Sequence, residues 1–272
     1  MNREQQLEWE ARWGRPAAAA AVGAAILLAG SFALDTSLRG TGVSDARDAL
    51  QEIGGDITSR IIIVLANVVA VLAMAGALTY LYRATRPRRP ETPPAAGVLA
   101  IAGPVLYAAA FVALSLTQIK IGREFVALPA GFRTVDIAES VIADSALRTV
   151  QLVVLGGSLA LGFAYVLISL GAMRAGLLSR FMGILGIISG VLFVIPVLGS
   201  GPPVVAIFWL GAMAVLFLDR WPNGRGPAWA SGQPEPWPSQ MEMARAREAQ
   251  VQRAQAEPQE PAAAKPRRKK RR

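Results

Sequence analysis

The sequence predicts an all-α polytopic membrane protein with six transmembrane helices and a disordered or partly helical basic C-terminal tail. Three observations carry that expectation. Hydrophobic residues make up 53% of the 272 and charged residues only 17%, with mean hydropathy +0.39, a balance suited to a surface solvated by lipid. The apolar residues gather in runs of about twenty, the length at which a helix rising about 1.5 Å per residue crosses a hydrocarbon core. Lys and Arg, which leave a net charge of +9, are concentrated in particular loops, as expected where basic residues stay on the cytoplasmic side.

The same composition removes whole classes of chemistry. There is no Cys, hence no disulfide, thiolate metal site, iron–sulfur cluster or thiol nucleophile. There is no His either, which removes the usual neutral-pH proton shuttle, the commonest metal ligand and Ser-His catalysis. No Asp or Glu falls deep inside an expected span, so neither an enzyme nor an intramembrane carboxylate relay is expected, and no cofactor or metal site is assigned.

Residues 1–15 carry Leu7, Trp9 and Trp13 among charges, with Glu8 and Arg12 four apart, and read as a short interfacial helix. The first span is expected at 16–34, opened by Pro16 at a helix-compatible first position. A competing reading makes this a cleaved signal peptide, with Arg3, Arg12 and Arg15 before the apolar run and Ser31-Phe32-Ala33 as the cleavage site; Glu4, Glu8 and Glu10 fit poorly in a basic leader. Either way residues 35–59 lie outside. Asp35, Asp45, Asp48, Glu52 and Asp56 make that loop acidic. Ser44 is expected to cap a short helix striped by Ala46, Leu50, Ile53 and Ile57 and ended by Gly54-Gly55. The calcium-loop spacing is missing, so the acids read as a solvated face.

The second span, 61–82, aligns Ala66, Ala70, Ala73 and Ala77 on one face for close helix packing. Asn67 lies beside that face, either as interhelical glue or as part of a solute path. Arg83, Arg86, Arg88 and Arg89, with Pro87, Pro90, Pro93 and Pro94, form a stiff basic linker. The third span, 97–118, holds Pro104 and the polar residues Tyr107 and Gln118. Residues 119–146 read as an amphipathic outer loop, with Ile137, Val141 and Ile142 spaced for a surface helix and Lys120, Arg123 and Arg133 balanced by nearby acids.

The fourth span, 147–170, contains Gly156 and Ala160 at small-residue spacing, with Gln151, Ser158 and Tyr165 as polar members. A turn bearing Arg174 and Arg180 leads into the fifth span, 179–198. There Gly183, Gly186 and Gly190 share one face, a GxxxG pattern that does not choose between an internal contact and a dimer. The sixth span, 204–218, ends at Asp219-Arg220-Trp221-Pro222. The expected domains are therefore a transmembrane unit, 1–221, and a cytoplasmic segment, 222–272. The latter comprises an extended Pro/Gly/Trp linker, a polar helix opened by the Ser239…Glu242 capping box, and the basic end Arg267, Arg268, Lys269, Lys270, Arg271 and Arg272. Six spans starting inside put every arginine-rich segment and both termini in the cytoplasm.

The stretch Arg174-Ala-Gly-Leu-Leu-Ser-Arg180-Phe-Met-Gly-Ile-Leu-Gly-Ile-Ile-Ser-Gly190 resembles a signature of uncharacterised multi-pass membrane proteins of high-GC Gram-positive bacteria, grouped as a domain of unknown function. The resemblance implies a six-helix protein of the bacterial cytoplasmic membrane and assigns no site. The expected function is a non-enzymatic scaffold or interaction component, its partners a second copy or another membrane protein at the small-residue faces, and acidic lipid headgroups at the tail. The tail lacks aromatic interleaving, which favours lipid over nucleic acid. The alternative is small-solute transport or permeation along a polar path of Asn67, Gln118, Gln151 and Tyr165.

Overall fold

The computed structural model describes residues 2–38, 45–143, 146–194, 203–222 and 224–237, with positions 245, 248, 249 and 252 beyond them. The chain divides into two units, Met1–Trp237 and Pro238–Arg272, and the helical bundle is the first. Its elements, among the described residues, are helices α1 (Arg3–Leu38), α2 (Ala46–Gly55), α3 (Ile57–Arg88), α4 (Pro94–Ala127), α5 (Val135–Ala143), α6 (Leu147–Arg174), α7 (Arg180–Val194), α8 (Val204–Phe217) and α9 (Pro227–Ser231). A 3-10 turn, Ala130–Phe132, separates α4 from α5.

Four of these, α1, α3, α4 and α6, are long and apolar enough to cross a membrane, at 36, 32, 34 and 28 residues. α7 and α8 are apolar but shorter, 15 and 14 residues. The structure is thus an all-helical membrane bundle. α1 packs on α3 and α8, α3 on α4 and α6, α4 on α6, and α7 on α6 and α8.

The long helices overrun the stretches that hydropathy marks. α1 is one continuous helix through Pro16, so the expected separate interfacial helix and proline start are replaced by a single rod. α3 likewise runs through Arg83 and Arg86 to Arg88, where the sequence reads as a linker. Pro87 inside its last turn cannot donate to the Arg83 carbonyl. The Gln6 side-chain amide of α1 donates to that carbonyl instead, at 3.3 Å. α4 starts with Pro94 at its first turn and carries Lys120, Arg123 and Glu124 inside the helix rather than in a loop.

Side-chain size decides how closely the rods approach. Ala17, Ala18, Ala21 and Ala24 of α1 and Ala70, Met74, Ala77 and Leu78 of α3 enter one continuous core. A Cβ on Gly190 of α7 would sit 2.7 Å from the Gly162 carbonyl of α6, and one on Gly183 would meet Met173. On α6 it is Gly157 rather than Gly156 that faces α4: a Cβ there would lie 2.8 Å from Tyr107 Cα, whereas Gly156 meets nothing. A smaller cluster, Leu50, Phe125, Ile121 and Ala138, joins α2, α4 and α5 at the acidic end of the bundle. There α2 is capped by Asp45, whose side chain accepts from the Asp48 amide at 2.9 Å; the expected cap, Ser44, lies outside the described residues.

Candidate functional sites at the two ends of the bundle

At the arginine-rich end, the start of α1, the end of α3 and the segment after α8 converge on Arg88, and the α6–α7 turn joins them through Trp229. The Arg88 guanidinium is fully buried and bonds both carboxylate oxygens of Glu10, Nη2 reaching Oε2 at 3.0 Å. Nη1 also donates to the Ala84 carbonyl at 2.7 Å and Nε to the Ala228 carbonyl at 3.0 Å. Glu10 is 3% exposed and accepts a further bond from Gln6 Nε2 at 2.8 Å. Paired forks of this kind satisfy an ion pair that would otherwise be costly to desolvate. The Tyr80 hydroxyl donates to the Glu10 backbone carbonyl at 3.1 Å and so ties α3 to α1 a second time.

An extended linker is expected over 222–238; residues 224–237 instead fold back into this cluster. Arg225 donates to the Leu216 carbonyl at 2.8 Å and to the Phe217 carbonyl, satisfying acceptors that a helix C-terminus leaves open. Trp229, 5% exposed, lies between Arg88 and Arg225, whose guanidinium carbons stand 5.7 and 5.2 Å from its ring centre. Its indole N–H donates to the Leu177 carbonyl at 2.9 Å. Leu177 follows Gly176, whose φ of +76° closes α6 and whose Cβ, if present, would collide with the Glu235 carbonyl. One glycine thus serves both the turn and the docked segment.

The opposite end holds a chamber of about 390 Å³ between α1, α3 and α4, with Phe193 of α7 on its wall. Asn67 and Gln118 both line it, together with Ser31, Ser115, Asp35 and Arg60. Arg60 bridges Asp35 of α1, at 2.8 Å, and Glu52 of α2. Ser31 and Ser115 donate to carbonyls of their own helices, which leaves oxygen lone pairs as their remaining capacity, and Asn67 donates one of its two amide hydrogens to the Ile63 carbonyl. Phe32, Tyr107, Phe111 and Phe193 supply aromatic walls.

The structure brings Asn67 and Gln118 together but not the other two members of the expected path. Gln151 opens on a separate groove of about 620 Å³ with Arg148 and Ser158; Leu114 and Phe193 stand between the two spaces, lining both. Tyr165 is fully buried between Phe193 and Trp209, and its hydroxyl, like that of Ser169 one turn on, has no hydrogen-bond partner among the described residues. Of the expected packing residues, Gly183, Gly186 and Gly190 all face α6, Ala70 is fully buried, and Ala66 is half-buried. Residues 267–272 lie outside the described residues, and no group of acidic side chains among the described residues is arranged to hold a metal ion.

Residues 17–218 match the family model described as a domain of unknown function, DUF4386. The chain belongs to that family. No curated protein and no solved structure matches it. The DUF4386 region runs from the residue after Pro16 in α1 to just past the end of α8, and contains the whole chamber lining. Glu10, Arg225 and Trp229 fall outside it, so the cluster at the arginine-rich end joins flanking segments to the family bundle through Arg88. Sequence reasoning missed Glu10, Arg88, Arg225 and Trp229 as a unit, because each reads locally as one more charge or interfacial aromatic.

Proposed function

We propose that this DUF4386 protein is a non-enzymatic component of the bacterial cytoplasmic membrane, a helical scaffold or interaction component with a basic cytoplasmic tail. The supporting observation is the docking of residues 224–237 through Arg88, Arg225 and Trp229. A tail that only marked topology would need no buried tryptophan and no shared arginine. α7 and α8 are taken as two further spans. This is supported by the start of α1, the end of α3, the α6–α7 turn and the segment after α8 meeting at one end. That end is the richer in arginine and is read as cytoplasmic. Acidic headgroups or a cytosolic partner would meet the terminal bases, each base adding about 1 kcal/mol near an acidic leaflet.

The test is co-purification in mild detergent of the full chain, a chain ending at Trp237 and a chain ending at Trp221. Loss of a partner or of acidic lipid on removing 238–272 alone supports a displayed tail. Identical profiles for all three chains contradict it.

A second reading rests on a different observation, the convergence of Asn67 and Gln118 on one chamber. With Arg60 offset by two carboxylates and the serine donors spent internally, the lining is rich in acceptors and aromatic faces, which suits a small organic cation. Asn67→Ala and Gln118→Ala should then weaken binding of such a solute while leaving the melting temperature within a few degrees. Unchanged binding of a panel of small ammonium compounds counts against the chamber as their site.

A further inference from the structure

Arg60, Arg88, Arg89 and Arg225 each have a carboxylate partner. Arg83 and Arg86, three apart on the exposed side of α3, have none among the described residues. Arg83 stands 5.8 Å from the ring centre of Trp9, and Arg86 donates to the Tyr82 hydroxyl at 2.8 Å. Two unneutralised guanidiniums held by aromatic side chains at one level of a membrane bundle require an anion, or water, at that level.

The surface around them is shaped for more than an ion. Two grooves, of about 720 and 330 Å³, both include Trp9 and Arg83 in their linings. The first holds the polar rim, with Arg86 and Tyr82. The second runs from Arg83 down the seam between α1 and α3 and is floored by Ala17, Ala20, Ala75 and Gly76. From Gly76 to Arg86 is about 15 Å along the helix axis, with the apolar floor deeper in the bilayer than the arginines. Trp13 borders the apolar groove and is half exposed, as an aromatic at headgroup depth should be.

We infer that this seam binds one anionic glycerophospholipid of the cytoplasmic leaflet, its phosphate between Arg83 and Arg86 and one acyl chain in the Ala20–Gly76 groove. The site is separate from the terminal bases and needs no contribution from them. A free phosphate could use the rim alone. The small-residue floor is what commits the site to a lipid, because smooth helix surface opposite two bases matches a chain attached to an anion.

The experiment is native mass spectrometry of the full-length protein, released from detergent with phosphatidylglycerol or phosphatidylcholine of identical chains. Wild type should retain phosphatidylglycerol preferentially, and Arg83→Gln with Arg86→Gln should reduce that retention about thirtyfold, the scale expected for two interfacial bases. Gly76→Leu gives a second variant that leaves every charge in place. A Cβ at Gly76 meets only Ala20, at 3.4 Å, so the helix tolerates the change while the groove is filled, and retention should fall as well. Full-length protein with residues 267–272 changed to Gln should keep the site. Equal retention of the two lipids, no loss in the arginine variant, no loss in Gly76→Leu, or displacement by millimolar inorganic phosphate would each overturn the assignment.

Discussion

Both ends of the bundle are braced by an arginine that joins three segments, yet the two braces differ in depth. Arg88 and Glu10 are 0% and 3% exposed; Arg60, Asp35 and Glu52 are 15%, 19% and 18% exposed. The chemistry is the same and the surroundings are not. A buried pair adds little over well-packed apolar residues but is costly to break, because the surviving charge is left without water, whereas a partly wetted pair is replaced by solvent. The arginine-rich end is therefore the more rigid joint of the two.

The largest expected effect follows from that difference. Glu10→Ala or Arg88→Ala should destabilise the protein by about 3–5 kcal/mol, read as a drop in thermal midpoint in detergent. A loss no greater than that of an exposed pair would break the comparison. Trp229→Ala removes a buried aromatic and should cost about 3 kcal/mol of local docking energy, seen as protease cleavage within 222–237 while the bundle stays intact. Gly176→Ala acts on the same joint from the other side. It adds about 1–2 kcal/mol of left-handed strain and a collision with Glu235, so it should release the segment without touching either arginine.

At the chamber end Arg60→Ala should cost about 1 kcal/mol or less, and the cost should shrink further with added salt. The smallest effect is at the start of α3. Asp56 caps that helix by accepting from the Ser59 amide at 3.1 Å, and the Ser59 side chain first, then its backbone amide, hold the carboxyl below its ordinary value. A depressed folded pKa means the cap is in place above the ordinary carboxylate range and is lost as pH falls through the lower folded value. Acid titration of wild type against Asp56→Asn should show a small difference confined to that window.

How far the sequence foretold this structure depends on which physical signal it carries. Apolar runs reveal where lipid is, so the cores of α1, α3, α4 and α6 were legible at 16–34, 61–82, 97–118 and 147–170. Helix ends were not, since charged residues such as Arg83, Arg86 and Lys120 continue a helix past the hydrocarbon layer as readily as they begin a loop. Asn67 and Gln118 stood out as amides in apolar runs, and so did Gln151 and Tyr165 as polar groups. Nothing in a single sequence says that the first two face one chamber and the others do not. Trp229 was least legible of all. Its neighbours Pro227 and Gly232 read as a linker, and the contacts that bury it come from Leu177 and Arg88, 52 and 141 positions away.

Thiol labelling tests the rigid joint most directly, because the chain has no cysteine of its own. Ala228 is fully buried and Ala230, two residues on, is exposed. A membrane-impermeant maleimide should label Ala230→Cys rapidly and Ala228→Cys only after denaturation, or after Arg88→Gln is added. Equal, rapid labelling of both positions in the otherwise native protein would contradict a segment docked on the bundle.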